Sequence, residues 1–294
     1  MAVREPAATL SGRAMREDDA GAAAAPTGKG AAGPARRSPH VTNPTACLLI
    51  IGNEVLSGRT QDANLKFLAT RLGEIGIPLR EVRVIPDVRE TIIATVNEVR
   101  AKFDYVFTTG GIGPTHDDIT AECIAAAFGL PWEPHPEAWE RLAAHYARQN
   151  PPGDFNTARQ RMATMPRGAT LIDNPVSVAP GFIIGNVHVM AGVPRIMQAM
   201  FDGLAPRLKG GAPVVSRAVH ANGLMEGQLA EGLGRIQAEF PEIDIGSYPY
   251  YRPTGNGVAL VAKGIDAAAV ERAIAAIGAL MQELGFPPVT GEPA

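Results

Sequence analysis

The chain has 294 residues, 46% of them hydrophobic and 19% charged, with a formal net charge of −3. That length suits one large domain or two modest ones, and no apolar run approaches the roughly 18 residues that a membrane-spanning helix needs. The first 40 residues carry six Lys/Arg and four Asp/Glu, so the rest of the chain bears −5; this sign argues against nucleic acid as the main partner, because phosphate neutralisation dominates such binding.

Residues 1–44 are read as a disordered tail. The first 40 hold 12 Ala, 5 Gly and 4 Pro with no period, and such a composition buries too little surface to offset its ordering entropy. The stretch lacks the continuous apolar core of a secretory signal, and Glu17, Asp18 and Asp19 argue against a transit peptide. The only cysteines, Cys47 and Cys123, sit in apolar segments without metal-ligand spacing. They are expected as core residues, which fits a reducing cytoplasm. The chain is therefore expected to be soluble and cytoplasmic, with no membrane partner.

From Ala46 onward apolar runs alternate with amphipathic stretches. Ala46–Ile51 reads as a buried strand, 62–75 as a helix, 80–85 as a strand, 88–102 as a helix, Tyr105–Thr109 as a strand and 118–128 as a helix. Such alternation implies parallel pairing in a doubly wound α/β sheet. Segments 136–148 and 155–164 read as helical. Strands are expected at Thr170–Ile172, 182–184 and Val187–Met190, the last two joined by the turn dipeptide Gly185-Asn186. A helix over 195–207 closes the unit, with Pro194 at its first turn. The run Lys209-Gly210-Gly211-Ala212-Pro213 reads as a linker. Beyond it the order is strand 214–220, helix 225–239, strands 243–248 and 258–261, and helix 267–284, a small α+β unit.

The chemistry concentrates in Thr108-Thr109-Gly110-Gly111-Ile112-Gly113-Pro114-Thr115-His116-Asp117-Asp118-Ile119-Thr120. It follows a strand and precedes a helix, and open parallel sheets bind ligands outside the carboxyl ends of their strands. Gly110, Gly111 and Gly113 let backbone amides approach a ligand, and the following helix points N–H groups at the same space. An anion such as a phosphate suits that arrangement. Asp117 and Asp118 would repel it unless a divalent cation lies between. A second reading stays open on spacing alone: Thr115-x-x-Asp118 fits a capping box, which would make the aspartates structural. His116 is either an acid–base group or simply exposed.

The fuller pattern resembles the MoaB/Mog molybdopterin-binding family, and GGIGPTHDDIT is similar to its CinA type. Gly52-Asn53-Glu54-Val55-Leu56-Ser57-Gly58, followed by Asp62 and Asn64, resembles that family's first loop. Asn174-Pro175-Val176-Ser177-Val178-Ala179-Pro180-Gly181-Phe182 resembles its second, and Ala191-Gly192-Val193-Pro194 the loop before its last helix. The resemblance spans 46–208, and 214–284 looks like the small KH-like domain that follows in CinA-type proteins. It implies a three-layer, mostly parallel Mog-like sheet over 45–209 and a KH-like α+β domain over 213–287. The C-terminal amidase domain of full-length CinA proteins has no counterpart here. The implied ligand is molybdopterin or an adenine-nucleotide phosphate, with metal-dependent (Mg, Mn or Co) ADP-ribose pyrophosphatase activity linked to CinA-type relatives. The alternatives are a non-catalytic sensor or adaptor module and a step of molybdenum cofactor biosynthesis. By position, Asp118 and Asp117 would be catalytic and metal-holding. Thr109, Gly110, Gly111, Gly113, Thr115, Thr120, Glu54, Asn64, Asn174, Ser177, Gly181, Gly192 and Pro194 would meet the ligand. The family also implies homo-oligomers. Four positions depart from the CinA pattern: Ile196 stands where a Glu is usual, Ser177-Val178 replaces Gly-Thr, and Asn53 replaces Asp or Thr.

Elsewhere, residues 212–294 carry five Lys/Arg against nine Asp/Glu and no GxxG clamp, which argues against RNA binding. Tyr248, Tyr250 and Tyr251 beside Arg252 read as an interface cluster, with base or pterin stacking as the alternative. Arg159 and Arg161 read as solvated, with a phosphate role as the alternative, and His188 as a core or edge residue.

Overall fold

The computed structural model describes residues 43–293 except Thr254. The expectation of a disordered tail over 1–44 falls, up to residue 42, outside the described residues.

The first elements are β1 (Ala46–Ile51), α1 (Asn53–Leu56), α2 (Asn64–Glu74), β2 (Leu79–Ile85), α3 (Arg89–Lys102), β3 (Tyr105–Thr109) and α4 (Thr120–Ala127). There follow β4 (Trp132–Pro134), α5 (Pro136–Ala147), α6 (Thr157–Gln160), β5 (Thr164–Pro166), β6 (Thr170–Ile172), β7 (Gly181–Ile184), β8 (Val187–Met190) and α7 (Pro194–Leu204). A six-stranded sheet has the order β2-β1-β3-β8-β7-β6. β2, β1, β3 and β8 are mutually parallel, and β7 runs antiparallel to both neighbours.

Every residue of β1 is buried, as a continuous apolar run in a central parallel strand requires. Successive side chains face opposite sides of the sheet. Cys47, Leu49 and Ile51 pack with Ile92, Val96 and Val99 of α3 and with Cys123 and Ile124 of α4. Leu48 and Ile50 pack with Leu68 and Leu72 of α2 and with Met197, Met200 and Phe201 of α7. The result is a three-layer α/β/α sandwich. Each fully buried Leu, Ile or Phe contributes about 1.5–3 kcal/mol, so these two cores fix where the strand ends lie. Burial pushes the thiols of Cys47 and Cys123 up to about 11, which leaves them inert packing residues.

The remaining elements are β9 (Val215–Asn222), α8 (Glu226–Glu239), β10 (Asp244–Arg252), β11 (Gly255–Gly264), α9 (Ala267–Glu283) and β12 (Val289–Thr290). They form an antiparallel sheet of order β10-β11-β9-β12. Val258, Leu260 and Ala262 of β11 pack with Leu229 and Ile236 of α8 and with Val270, Ala273 and Ile277 of α9. On the other face Tyr250 is buried, and its hydroxyl lies 2.7 Å from Asn222 Oδ1. Tyr248 is half exposed and Tyr251 is 81% exposed. Among the described residues no helix is long and apolar enough to cross a membrane.

Three expectations need correction. The helix after the glycine turn begins at Thr120 rather than Asp118, and its N-cap residue, Ile119, makes no side-chain cap; the capping-box reading therefore fails. The segment 155–164 is a short helix, a 3-10 turn and a strand that pairs with β4. Short apolar runs of this kind carry too little period to separate helix from strand. Finally, Arg159 and Arg161 are half-buried rather than solvated, stacked over Tyr146 and Trp132 at 4.2 and 5.1 Å from the ring centroids.

Candidate functional site at the carboxyl edge of the sheet

β1 and β3 are neighbours, with Ile50 opposite Thr109, so their carboxyl ends open onto one edge. At that edge Gly110 has φ 103°, and a Cβ there would lie 2.1 Å from Ile51 O. Gly111 has φ 65°, and a Cβ would lie 2.2 Å from Thr120 Oγ1. Only glycine lets the backbone pass this close. The Thr120 N–H donates to Gly111 O at 3.0 Å and closes the loop. Inside it, the Thr115 N–H and hydroxyl both donate to Asp118 Oδ2, at 2.8 and 2.5 Å. Asp118 thus braces its own turn rather than capping α4. His116 and Asp117 are exposed.

Two clefts flank the turn. The first is lined by Glu54, Asn64, Thr109, Gly110, Gly192 and Pro194, all of them expected from the sequence. Asn64 is buried, and its Nδ2 donates to Gly192 O at 2.8 Å, tying α2 to the loop before α7. Gly192 sits so close to Gly110 that a Cβ would lie 3.2 Å from its Cα. The second cleft is lined by Gly113, Asp118, Trp132, Arg161, Pro180 and Phe182, among others.

Several polar atoms here have no partner among the described residues. Asn64 Oδ1, Thr109 Oγ1 and Thr120 Oγ1 are buried and unbonded. The N–H groups of Gly111, Ile112 and Gly113 take no protein acceptor. A buried unsatisfied polar group costs about 1–3 kcal/mol, and three such side-chain atoms lie together at this strand edge.

The second loop behaves differently. Asn174 Nδ2 donates to Ser177 Oγ and Ala179 O, at 2.6 and 2.8 Å, while its Oδ1 accepts the N–H groups of Val176 and Ser177, both at 3.0 Å. That network holds Val178 at φ 68°, a left-handed conformation costly for a β-branched residue. Asn174 and Ser177 therefore shape their own loop and enter neither cleft. At Gly181 a Cβ would lie 2.3 Å from Val189 O, so this glycine serves strand pairing, and its neighbours Pro180 and Phe182 are the ones that reach the second cleft. Ile196 is half-buried and packs against the α2/α7 core.

Sequence reasoning missed Asp87, which follows β2 at the same edge. Its Oδ2 accepts the Asn53 N–H at 2.9 Å. Its carboxyl is raised above the usual range by partial burial, and by the negative charges of Glu54, Asp117 and Asp118. The rule that ligands sit beyond the carboxyl ends of the strands would have flagged it as the carboxylate ending the strand beside β1. The four acidic groups make this edge electronegative. Among the described residues, no three His, Cys, Asp or Glu side chains are already gathered to hold an ion.

A family model described as "Probable molybdopterin binding domain" matches residues 47–210, more than half of the chain. The chain belongs to this MoaB/Mog molybdopterin-binding domain family. A model described as the FAD synthase middle domain matches residues 213–288. A protein of Pyrobaculum calidifontis is 36% identical over 214 residues, covering 70% of this chain and 81% of that one. A CinA-like protein of Parasynechococcus marenigrum is 36% identical over 194 residues, covering 63% of this chain and 46% of the relative. The chain thus spans about half the length of that CinA-like protein. The crystal structure of CinA from Thermoplasma acidophilum, a protein described as of unknown function, superposes with a TM-score of 0.52 at 30% identity. It covers 56% of this chain and 97% of its own.

Proposed function

We propose that the glycine turn binds the phosphate or diphosphate of a pterin or adenine-nucleotide ligand, with molybdopterin and ADP-ribose as the two candidate types. The observation that carries this reading is the set of unpartnered groups around the turn: the amides of Gly111, Ile112 and Gly113, with Thr109 Oγ1, Thr120 Oγ1 and Asn64 Oδ1. Amide donors of this kind favour an anion. The acidic residues at the same edge call for a cation between them and the phosphate oxygens. Asp117 and Asp118 would hold a divalent ion (Mg, Mn or Co) with the ligand's own oxygens completing its shell, and Asp87 faces the same field. When bound, such an ion polarises a phosphoanhydride and offsets the charge that develops on attack.

The enzyme reading is metal-dependent hydrolysis of an ADP-ribose-type diphosphate. Water adds to one phosphorus, and the bridging oxygen leaves with the other phosphate. Asp117, open to solvent, is placed to orient that water, and Asp118 is pinned by Thr115 in a fixed geometry. A panel of ADP-ribose, FAD, NAD and ATP with Mg²⁺, Mn²⁺ and Co²⁺ tests it. Turnover that disappears in Asp118→Asn is expected; no turnover, or full turnover in that variant, rejects hydrolysis.

A second reading, a non-catalytic pterin- or nucleotide-binding module, is favoured by Ile196, an apolar core contact where CinA-type chains place a carboxylate. Calorimetric binding of a pterin without product would support it.

A further inference from the structure

The reading above uses Gly113 and Asp118 of the second cleft but leaves the cation in its wall, Arg161, without a role. Arg161 follows α6 and stacks over Trp132, with its guanidinium carbon 5.1 Å from the ring centroid. One Nη2–H donates to the Asp118 carbonyl oxygen at 3.1 Å. A guanidinium carries five N–H donors and keeps its charge at any physiological pH. For Arg161 that single bond is the one hydrogen bond formed among the described residues, and Nε is buried with no partner at all.

The nearby arginines differ. Arg141 pairs with Asp173 and Glu137, and Arg167 holds Glu133 through Nε and Nη2 at 2.8 and 2.7 Å. Arg161 forms no ion pair among the described residues. A half-buried guanidinium with spare donors and no ion pair among the described residues, in a cleft beside a turn with three amides that meet no acceptor there, is suited to receive an anion.

We propose that Arg161 is an anion-binding residue that grips the second phosphate of a diphosphate ligand whose first phosphate lies on the Gly111–Gly113 amides. The assignment rests on the phosphate-binding reading of the turn and adds to it the residue that would meet a second phosphate. The backbone of Asp118 links the two donor sets. Its carbonyl oxygen accepts from Arg161, and its carboxylate accepts from Thr115 within the glycine turn. Trp132 packs under the guanidinium, 5.1 Å from the ring centroid to its central carbon, which limits the side chain's freedom.

The test uses the full ¹⁵N-labelled chain. Backbone amide signals of Gly111 and Gly113 and the Arg161 Nε–H signal, identified by its loss in Arg161→Lys, are followed during titration with inorganic phosphate and with inorganic pyrophosphate. Pyrophosphate is expected to move the glycine amides and Arg161 Nε–H together, and phosphate the glycine amides alone. In Arg161→Gln the affinity for pyrophosphate should fall about tenfold or more, as for loss of a charge-assisted hydrogen bond, with phosphate affinity essentially unchanged. Glycine amides that respond to pyrophosphate without any Arg161 Nε–H response overturn the proposal and leave the turn's phosphate reading intact. Equal weakening of phosphate and pyrophosphate in Arg161→Gln overturns it in favour of a role in bracing Asp118. No response from either signal removes both readings.

Discussion

The backbone N–H of Asn53 donates to Asp87 Oδ2 at 2.9 Å, so the loop after β1 is tied to the residue that ends the β2 connection. This bond sets Asp87 inside the field of Glu54, Asp117 and Asp118. Partial burial first, and these charges next, raise its carboxyl above the usual range. An acid raised in the folded state favours folding while protonated, below the unfolded value of about 4; that contribution is lost as pH climbs through the raised folded value. At neutral pH the ionised carboxylate therefore weakens the ligand-free fold. Asp87→Asn keeps an acceptor for Asn53 and removes the charge. It should melt above the wild type at about pH 7, with the gap closing near pH 4, and it should lose metal-dependent turnover. A lower melting midpoint at neutral pH would contradict this account.

Two glycines with almost the same backbone separate conformational strain from steric clash. Gly111 and Gly129 have φ 65° and 63°, yet a Cβ at Gly111 would meet Thr120 Oγ1 at 2.2 Å whereas one at Gly129 meets nothing. Gly129→Ala should cost about 1–2 kcal/mol, the price of a left-handed alanine. Gly111→Ala should cost more, displace Thr120 and abolish phosphate binding. Chemical denaturation of both variants, with pyrophosphate titration, checks the pair. Equal destabilisation would mean that the turn yields freely.

The parallel core was readable because its signal is long and redundant. β1 is a six-residue apolar run, and α3 repeats its apolar stripe at Ile92, Val96 and Val99. The tight turn after β3 was readable from its glycines, since Gly110 and Gly111 stand where only a glycine backbone fits. Other features depend on folded geometry that spacing does not give. Asp118 was read as a helix cap or metal ligand; it does not cap α4, and its carboxylate accepts from Thr115 inside the turn. Asp87 and Arg161 carry no motif of their own. Asp87 becomes a site residue because β2 pairs with β1, and Arg161 because a three-residue pairing of β4 with β5 sets Trp132 beneath it. Asn174, read as a ligand contact, is consumed by its own loop.

His188 gives the fold a pH dependence. It is 5% exposed, packed between Tyr105 and Phe107, with Nδ1 3.2 Å from Asn186 O. Burial lowers its pKa from 6.5 to about 4. A base depressed in the folded state contributes stability that is present above the unfolded value and is lost as pH falls toward the folded one. The chain should therefore lose about 2 kcal/mol of stability between roughly pH 7 and pH 5 through this group. His188→Gln should flatten that part of the profile in urea unfolding. An unchanged slope would assign the loss to other groups.

Thr108 and Thr109 are adjacent, both buried and both without a partner for Oγ1 among the described residues. Alternation along β3 turns them to opposite faces, and Thr109, not Thr108, lines the cleft with Asn64 and Gly192. Valine keeps the branched shape and deletes the unsatisfied hydroxyl, so each substitution should stabilise the ligand-free chain by about 1 kcal/mol. Their effects on binding should diverge. Thr109→Val should weaken pyrophosphate or ADP-ribose about tenfold, as for one lost hydrogen bond, while Thr108→Val leaves affinity unchanged. Melting curves with and without ligand read both effects at once. If Thr109→Val binds like the wild type, that hydroxyl is an idle cost of folding rather than a group held for a ligand, and the cluster of unpaired atoms at the strand edge loses its strongest member.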